Sequence, residues 1–138
     1  MMNRNQIRQK HHSIQPQKIL VVDDDPTIRD MMADILECEG HTPDLARNGQ
    51  EALRLLGGPE SYLVFLDMLM PVFSGKDLCV TLAAHPAIRQ RHIIVLMSAL
   101  DNIEETFHLD VDMVMSKPFV VEDVEEALAT YMGSPFFS

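Results

Sequence analysis

Cysteine is nearly missing from this sequence: Cys38 and Cys79 are the only two, and both fall in segments that read as helical. Neither they nor the six histidines, scattered apart from the His11-His12 pair, follow the spacing of a zinc site. Two small apolar helix residues in a reducing compartment is the plain reading. Long apolar runs are lacking too. Stretches such as "YLVFL" and "IIVLM" fall far short of the roughly 20 residues a spanning helix needs. Nothing resembles a charged start followed by an apolar core and a small-residue cleavage site. The chain is therefore expected to be soluble and cytoplasmic, with no membrane partner. Basic residues are outnumbered, 11 Lys and Arg against 21 Asp and Glu, for a net charge of −10. Arg4, Arg8, Lys10 and Lys18 stand without an acidic neighbour in the first 18 positions, and that +4 leaves −14 on the remainder. A domain so acidic is a poor nucleic-acid binder, so no direct DNA contact is expected; Mg2+ and basic protein partners suit it better.

What is present is a regular alternation. The chain has 138 residues, 46% apolar, with no long polar tract, internal repeat or linker, which fits one globular domain. "KILVV" is a short β-branched run suited to a strand buried on both faces. "PTIRDMMADILECEG" follows with apolar residues at helical spacing and Gly40 as a stop. "HTPDLA" reads as a weak strand, placed at an edge by Pro43. "NGQEALRLLGG" reads as a helix, "SYLVFL" as a strand, "SGKDLCVTLAAHP" as a helix and "HIIVLM" as a strand. "NIEETFHL" reads as a short helix, "VDMVM" as a strand and "VVEDVEEALATYM" as a closing amphipathic helix. Five strands alternating with five helices imply an α/β fold, a parallel sheet with right-handed crossovers and helices on both faces. The ten methionines are expected to fill gaps in the core.

In such a sheet, ligands bind beyond the carboxyl ends of the strands. The first strand ends in Asp23-Asp24, the third in Asp67, the fourth in Ser98 and the fifth in Lys117-Pro118. Strand ends are often polar, and one such residue means little. Carboxylates, a hydroxyl and an ammonium group delivered to one edge are chemically complementary. Three carboxylates need a cation, and Mg2+ with its oxygen ligands is the natural choice. Mg2+ with a hydroxyl and an ammonium makes a cage for a phosphoryl group, and a carboxylate inside it can be the nucleophile.

"ILVVDDDP", "DLARNGQEAL", "VFLDMLMPVFSG", "VLMSAL" and "SKPF", in this order, resemble the receiver domain of two-component response regulators over roughly residues 17 to 131. The resemblance implies a doubly wound, flavodoxin-like sheet of order 2-1-3-4-5. It implies a stand-alone, chemotaxis-type receiver spanning residues 17–132, between a basic arm over 1–16, expected to be flexible, and a tail over 133–138. By the same resemblance Asp67 is the phosphoacceptor. Asp24 and Asp67 ligate Mg2+, Asp23 does so through water, and the backbone carbonyl of Leu69 completes the protein's share. Ser98 and Lys117 stabilise the phosphoryl group, and the Lys117-Pro118 bond is cis, a form that proline alone makes cheap. The implied donor is a histidine kinase or histidine phosphotransfer protein, and the output an unidentified downstream protein; homodimerisation stays open. The domain is expected to be a signalling phosphoacceptor and not an enzyme. Asp25, followed by Pro26, fits the N-cap of the first helix, with proline where no N–H is needed.

Several positions depart from the family pattern. Val114 occupies the switch position three before the lysine, where the family carries an aromatic residue, and it cannot swing as a tyrosine would. Asp110-Val111 replaces Gly-Ala, and Asp tolerates unusual backbone angles. The segment from Ser98 to Lys117 is short by about one helical turn, so the fourth helix is expected to be short or irregular. Leu69 and Leu100, two residues beyond Asp67 and Ser98, flank the route of an attacking water, and they imply a long-lived phosphoryl group. Two rivals stand beside this reading. "DDDPT" also carries, as Asp23, Asp25 and Thr27, the Asp-x-Asp-x-Thr pattern of a Mg2+-dependent phosphatase whose nucleophile is Asp23, with Ser98 and Lys117 in support, though 138 residues leave little room for a cap domain. The other rival is a receiver-like binding module that is not phosphorylated.

Overall fold

The computed structural model describes residues 14–133. The arm as far as residue 13, with His11 and His12, and the tail with Phe136 and Phe137 lie outside them. Five strands, β1 (Lys18–Val22), β2 (Asp44–Ala46), β3 (Tyr62–Asp67), β4 (Ile93–Ala99) and β5 (Met113–Lys117), form one sheet of order β2-β1-β3-β4-β5. Every pairing is parallel, with Val22 opposite Leu66, Asp67 opposite Met97 and Ser98 opposite Ser116.

The sequence dictates this sheet through side chains that are apolar on both faces. Leu20, Val22, Val64, Leu66, Ile94, Leu96 and Val114 belong to one core, which they share with Ala52, Leu56, Leu78 and Leu82. Ile19, Val21, Leu63, Phe65, Val95, Met97 and Met115 belong to the other, with Met32, Leu36, Val124 and Leu128. Burying one such side chain fully is worth about 1.5–3 kcal/mol, so a strand buried on both faces has one stable register. β2, behind Pro43, is an edge of three residues.

Helix α1 (Pro26–Cys38) starts at Asp25, whose carboxylate accepts the Thr27 N–H at 2.9 Å. Helix α2 (Gly49–Leu56) is capped by Asn48. Helix α3 (Gly75–Ala83) has a reciprocal cap: Ser74 accepts from the Asp77 N–H, and Asp77 accepts from the Ser74 N–H. α1 and α5 (Val121–Tyr131) cover one face of the sheet; α2 and α3 cover the other. Cys38 and Cys79 are both free.

One expectation needs correction. The helix read across "SGKDLCVTLAAHP" stops at Ala83, and a separate four-residue helix α4 (Pro86–Arg89) follows. Pro86 has no N–H to donate back into a continuing helix, and the chain restarts from it. Asp110, in turn, adopts no left-handed backbone; among the described non-glycine residues only Val72 does, with φ 69°. The Asp110 carbonyl instead accepts two hydrogen bonds from the buried Arg89 guanidinium at 3.1 and 3.2 Å. The same guanidinium pairs with buried Asp112 at 3.0 Å, and Asp112 also accepts the Ile94 N–H at 2.8 Å. The fourth crossover is irregular as expected: Leu100–His108 forms a 3-10 helix.

Candidate functional site

Strand alternation decides which polar side chains meet. Asp23 follows Val21 by two residues, Asp67 follows Phe65 and Lys117 follows Met115, so all three point to the α1/α5 side at the carboxyl edge. There Lys117 Nζ lies 3.2 Å from Asp23 Oδ2 and 3.3 Å from Asp67 Oδ1. The sequence assigned this lysine to the phosphoryl group; in the fold it bridges two carboxylates, Asp67 on one side and Asp23 on the other. Asp23 is fully buried, and it also accepts the Asp25 N–H at 3.0 Å. Its own carbonyl receives Arg29 Nη1 at 2.7 Å, a support that no local pattern announces. Asp24 is exposed at the mouth.

The β3–α3 loop is folded against the Asp67 backbone. A Cβ at Gly75 would lie 2.1 Å from the Asp67 carbonyl oxygen and 3.0 Å from Met68 Cα, so only glycine fits. The "SG" of "VFSG" is the signal for this contact, and its role was not legible without the fold. The Leu69 N–H reaches Asp67 Oδ1 at 3.4 Å. The Leu69 and Leu100 side chains are exposed.

Ser98 follows Leu96 by two residues and stands on the other face of the sheet, buried, with its hydroxyl donating to the adjacent Ala99 carbonyl at 3.2 Å. That bond, and none to Asp67, is what its hydroxyl makes here. Val114 is buried on that same face. The Lys117-Pro118 peptide is cis.

Burial first, and the Asp23 charge second, push the Asp67 carboxyl up to about 6; Lys117 and the Leu69 amide pull it back. For Lys117, burial opposes the ammonium form, but Asp67 and Asp23 outweigh it and raise the pKa. One oxygen from each of Asp23, Asp24 and Asp67 lies within 4.8 Å of the others. Three carboxylates with one ammonium leave a formal charge of −2 on all-oxygen donors. That donor set fits a hard divalent cation such as Mg2+.

The response regulator receiver domain family matches residues 19–129, most of the chain. The chain belongs to this family. The receiver is 30% identical over 119 residues to sporulation initiation phosphotransferase F of Bacillus subtilis, covering 84% of this chain and 94% of that one. It is 31% identical over 112 residues to response regulator MprA of Mycolicibacterium vanbaalenii, covering 79% of this chain and 47% of the relative. The receiver thus spans about half the length of the first curated relatives it matches. A CheY-like receiver domain protein from Methanospirillum hungatei superposes with a TM-score of 0.71 at 27% identity, over 84% of this chain and 94% of that one. No helix among the described residues is long and apolar enough to cross a membrane.

Proposed function

We propose that Asp67 is the phosphoacceptor of a two-component phosphorelay and that the domain signals through protein contacts. The observation that carries this is the position of Asp67: a buried carboxylate beside Asp23, held by Lys117 at 3.3 Å, at the edge where the family resemblance puts its nucleophile. In the transfer, an Asp67 oxygen attacks the phosphorus of a phosphohistidine. The new O–P bond forms as the P–N bond breaks, and the electron pair leaves with the imidazole nitrogen. Mg2+ would be held by Asp24 and Asp67, with Asp23 acting through water and the Leu69 carbonyl as a further donor; it supplies charge neutralisation for the incoming phosphoryl oxygens. Lys117 is already within ion-pair distance of the nucleophile, so it can follow the charge from carboxylate to phosphoryl group. Ser98 would turn from the Ala99 carbonyl to donate to that group.

The donor in this reading is a histidine kinase or a histidine phosphotransfer protein, in the cytoplasm, with output through a further protein and no direct DNA contact. The domain in this reading comprises residues 17–132. Incubation with acetyl phosphate and Mg2+, followed by intact mass, tests the core of it. The wild type is expected to gain one phosphoryl group and Asp67→Asn none. Borohydride trapping places the acyl phosphate: reduction at residue 23 instead of 67 would favour the phosphatase rival and overturn this reading.

A further inference from the structure

Ser116 is the residue that neither the fold nor the proposed chemistry explains. Its side chain is 1% exposed, and its hydroxyl has no hydrogen-bond partner among the described residues. Buried hydroxyls are paired in the great majority of cases, because stripping one of water without replacing its bond is unfavourable. Such a group therefore calls for a second state in which the bond is made. The strand register shows where. Ser116 on β5 stands directly opposite Ser98 on β4. Both follow residues of the same core, Val114 and Leu96, by two positions, so both hydroxyls leave the same face of the sheet. Ser98 in turn is 2% exposed and bonded only to the carbonyl of its own neighbour.

We propose that Ser116 is a positioning residue for Ser98. When Ser98 rotates to donate its proton to a phosphoryl group on Asp67, its oxygen is left with lone pairs facing β5, and the Ser116 hydroxyl donates to it. A hydroxyl both donates and accepts, so one chain of bonds runs from Ser116 through Ser98 to the phosphoryl oxygen, each link polarising the next. Neighbouring strands about 4.8 Å apart bring two serine oxygens within reach after one staggered rotamer change. Val114, two residues earlier on the same face, has no polar atom for this. The β4–β5 pair thereby couples the site to the strand edge through hydroxyls where an aromatic side chain is lacking. The inference rests on the phosphoacceptor reading of Asp67.

Beryllofluoride with Mg2+, a stable mimic of the phosphoryl group, tests it by titration calorimetry together with thermal melts of the untreated chain. Ser116→Ala is expected to weaken beryllofluoride binding about three- to tenfold, the range of one net hydrogen bond. Its melting point without the mimic should be unchanged or higher, since the removed hydroxyl was unpaired. Ser116→Thr, which keeps the hydroxyl, should restore affinity to within about twofold of the wild type. In a Ser98→Ala background Ser116→Ala should add nothing, because it acts through Ser98. Wild-type affinity in Ser116→Ala overturns the inference, as does an equal loss in both backgrounds. A melting point several degrees lower in Ser116→Ala without the mimic overturns it too, by showing a purely structural role. A wild type that takes up no beryllofluoride overturns the Asp67 reading, and this inference with it.

Discussion

Val72, on the loop between Asp67 and Gly75, holds a left-handed backbone with φ 69° although its side chain is β-branched. The side chain is 95% exposed, so no burial offsets the steric penalty. Val72→Gly should therefore stabilise the domain by about 1 kcal/mol, the left-handed penalty less the extra chain entropy of glycine. A urea midpoint that stays level or drops would show that the loop relaxes around valine. Two other side chains on this rim bear on kinetics. Leu69 and Leu100 are 59% and 61% exposed and offer no group to orient a water. If Asp67 is the phosphoacceptor as proposed, its phosphoryl group should decay slowly, and Leu69→Asn should speed its loss by roughly an order of magnitude. Fast decay in the wild type, unaltered by the change, refutes this. Asp25→Ala, by contrast, removes only the bond to the Thr27 N–H. It should lower stability by about 0.5–2 kcal/mol in a denaturant melt and leave Mg2+ affinity unchanged.

At the scale of elements, His92, just ahead of β4, ties β3 and α2 together at the edge of the sheet opposite the site. Its Nδ1 accepts the Tyr62 N–H of β3 at 3.1 Å, and its Nε2 lies 2.8 Å from the Leu56 carbonyl of α2. An accepting Nδ1 requires the proton on Nε2, so the fold selects one neutral tautomer. Burial, chiefly, lowers the pKa of this ring, with the charges of Arg91 and Arg89 adding to it and the Leu56 bond opposing. The folded pKa lies below the unfolded value of about 6.5, so the contribution of His92 is complete above that pH and is lost as pH falls through the folded value. From about pH 7 to about pH 5 the wild type should lose stability more steeply than His92→Gln. Parallel slopes for the two chains would refute it. The elements themselves were legible wherever the apolar pattern is long: β1, β3, β4 and α1 appear where their periodicity puts them. α4 was not, because four residues carry no period. β5 begins at Met113, two residues later than "VDMVM" implies, because Asp112 is buried against Arg89, a contact 23 positions away. Asp23, Asp67 and Lys117 could be nominated from strand ends, and the alternation of side chains then fixes their convergence. Gly75 and Ser116 could not, since a close backbone approach and an unpaired hydroxyl exist only in the packed chain.

For the whole molecule, the carboxylate cluster sets stability against readiness to react. Bringing Asp67 to about 6 means that ionising it at neutral pH works against the fold, through burial and through repulsion by Asp23. Asp67→Asn removes that charge while Lys117 keeps Asp23 at 3.2 Å. Without divalent cations the variant should be the more stable chain, by about 2 kcal/mol. Mg2+ should reverse or close that gap. Bound to the folded state alone, it adds about 2.7 kcal/mol at a hundredfold excess over its dissociation constant, and the wild type offers the fuller donor set. A chain with a net charge of −10 also gains from general screening, so the comparison is made against NaCl at equal ionic strength. Thermal melts of both chains, with Mg2+ and with a chelator, decide the matter. A wild type more stable than Asp67→Asn in the chelator would mean that the 67 carboxylate sits more easily in the fold than its surroundings indicate. Equal gains from Mg2+ in the two chains would remove Asp67 from the metal site.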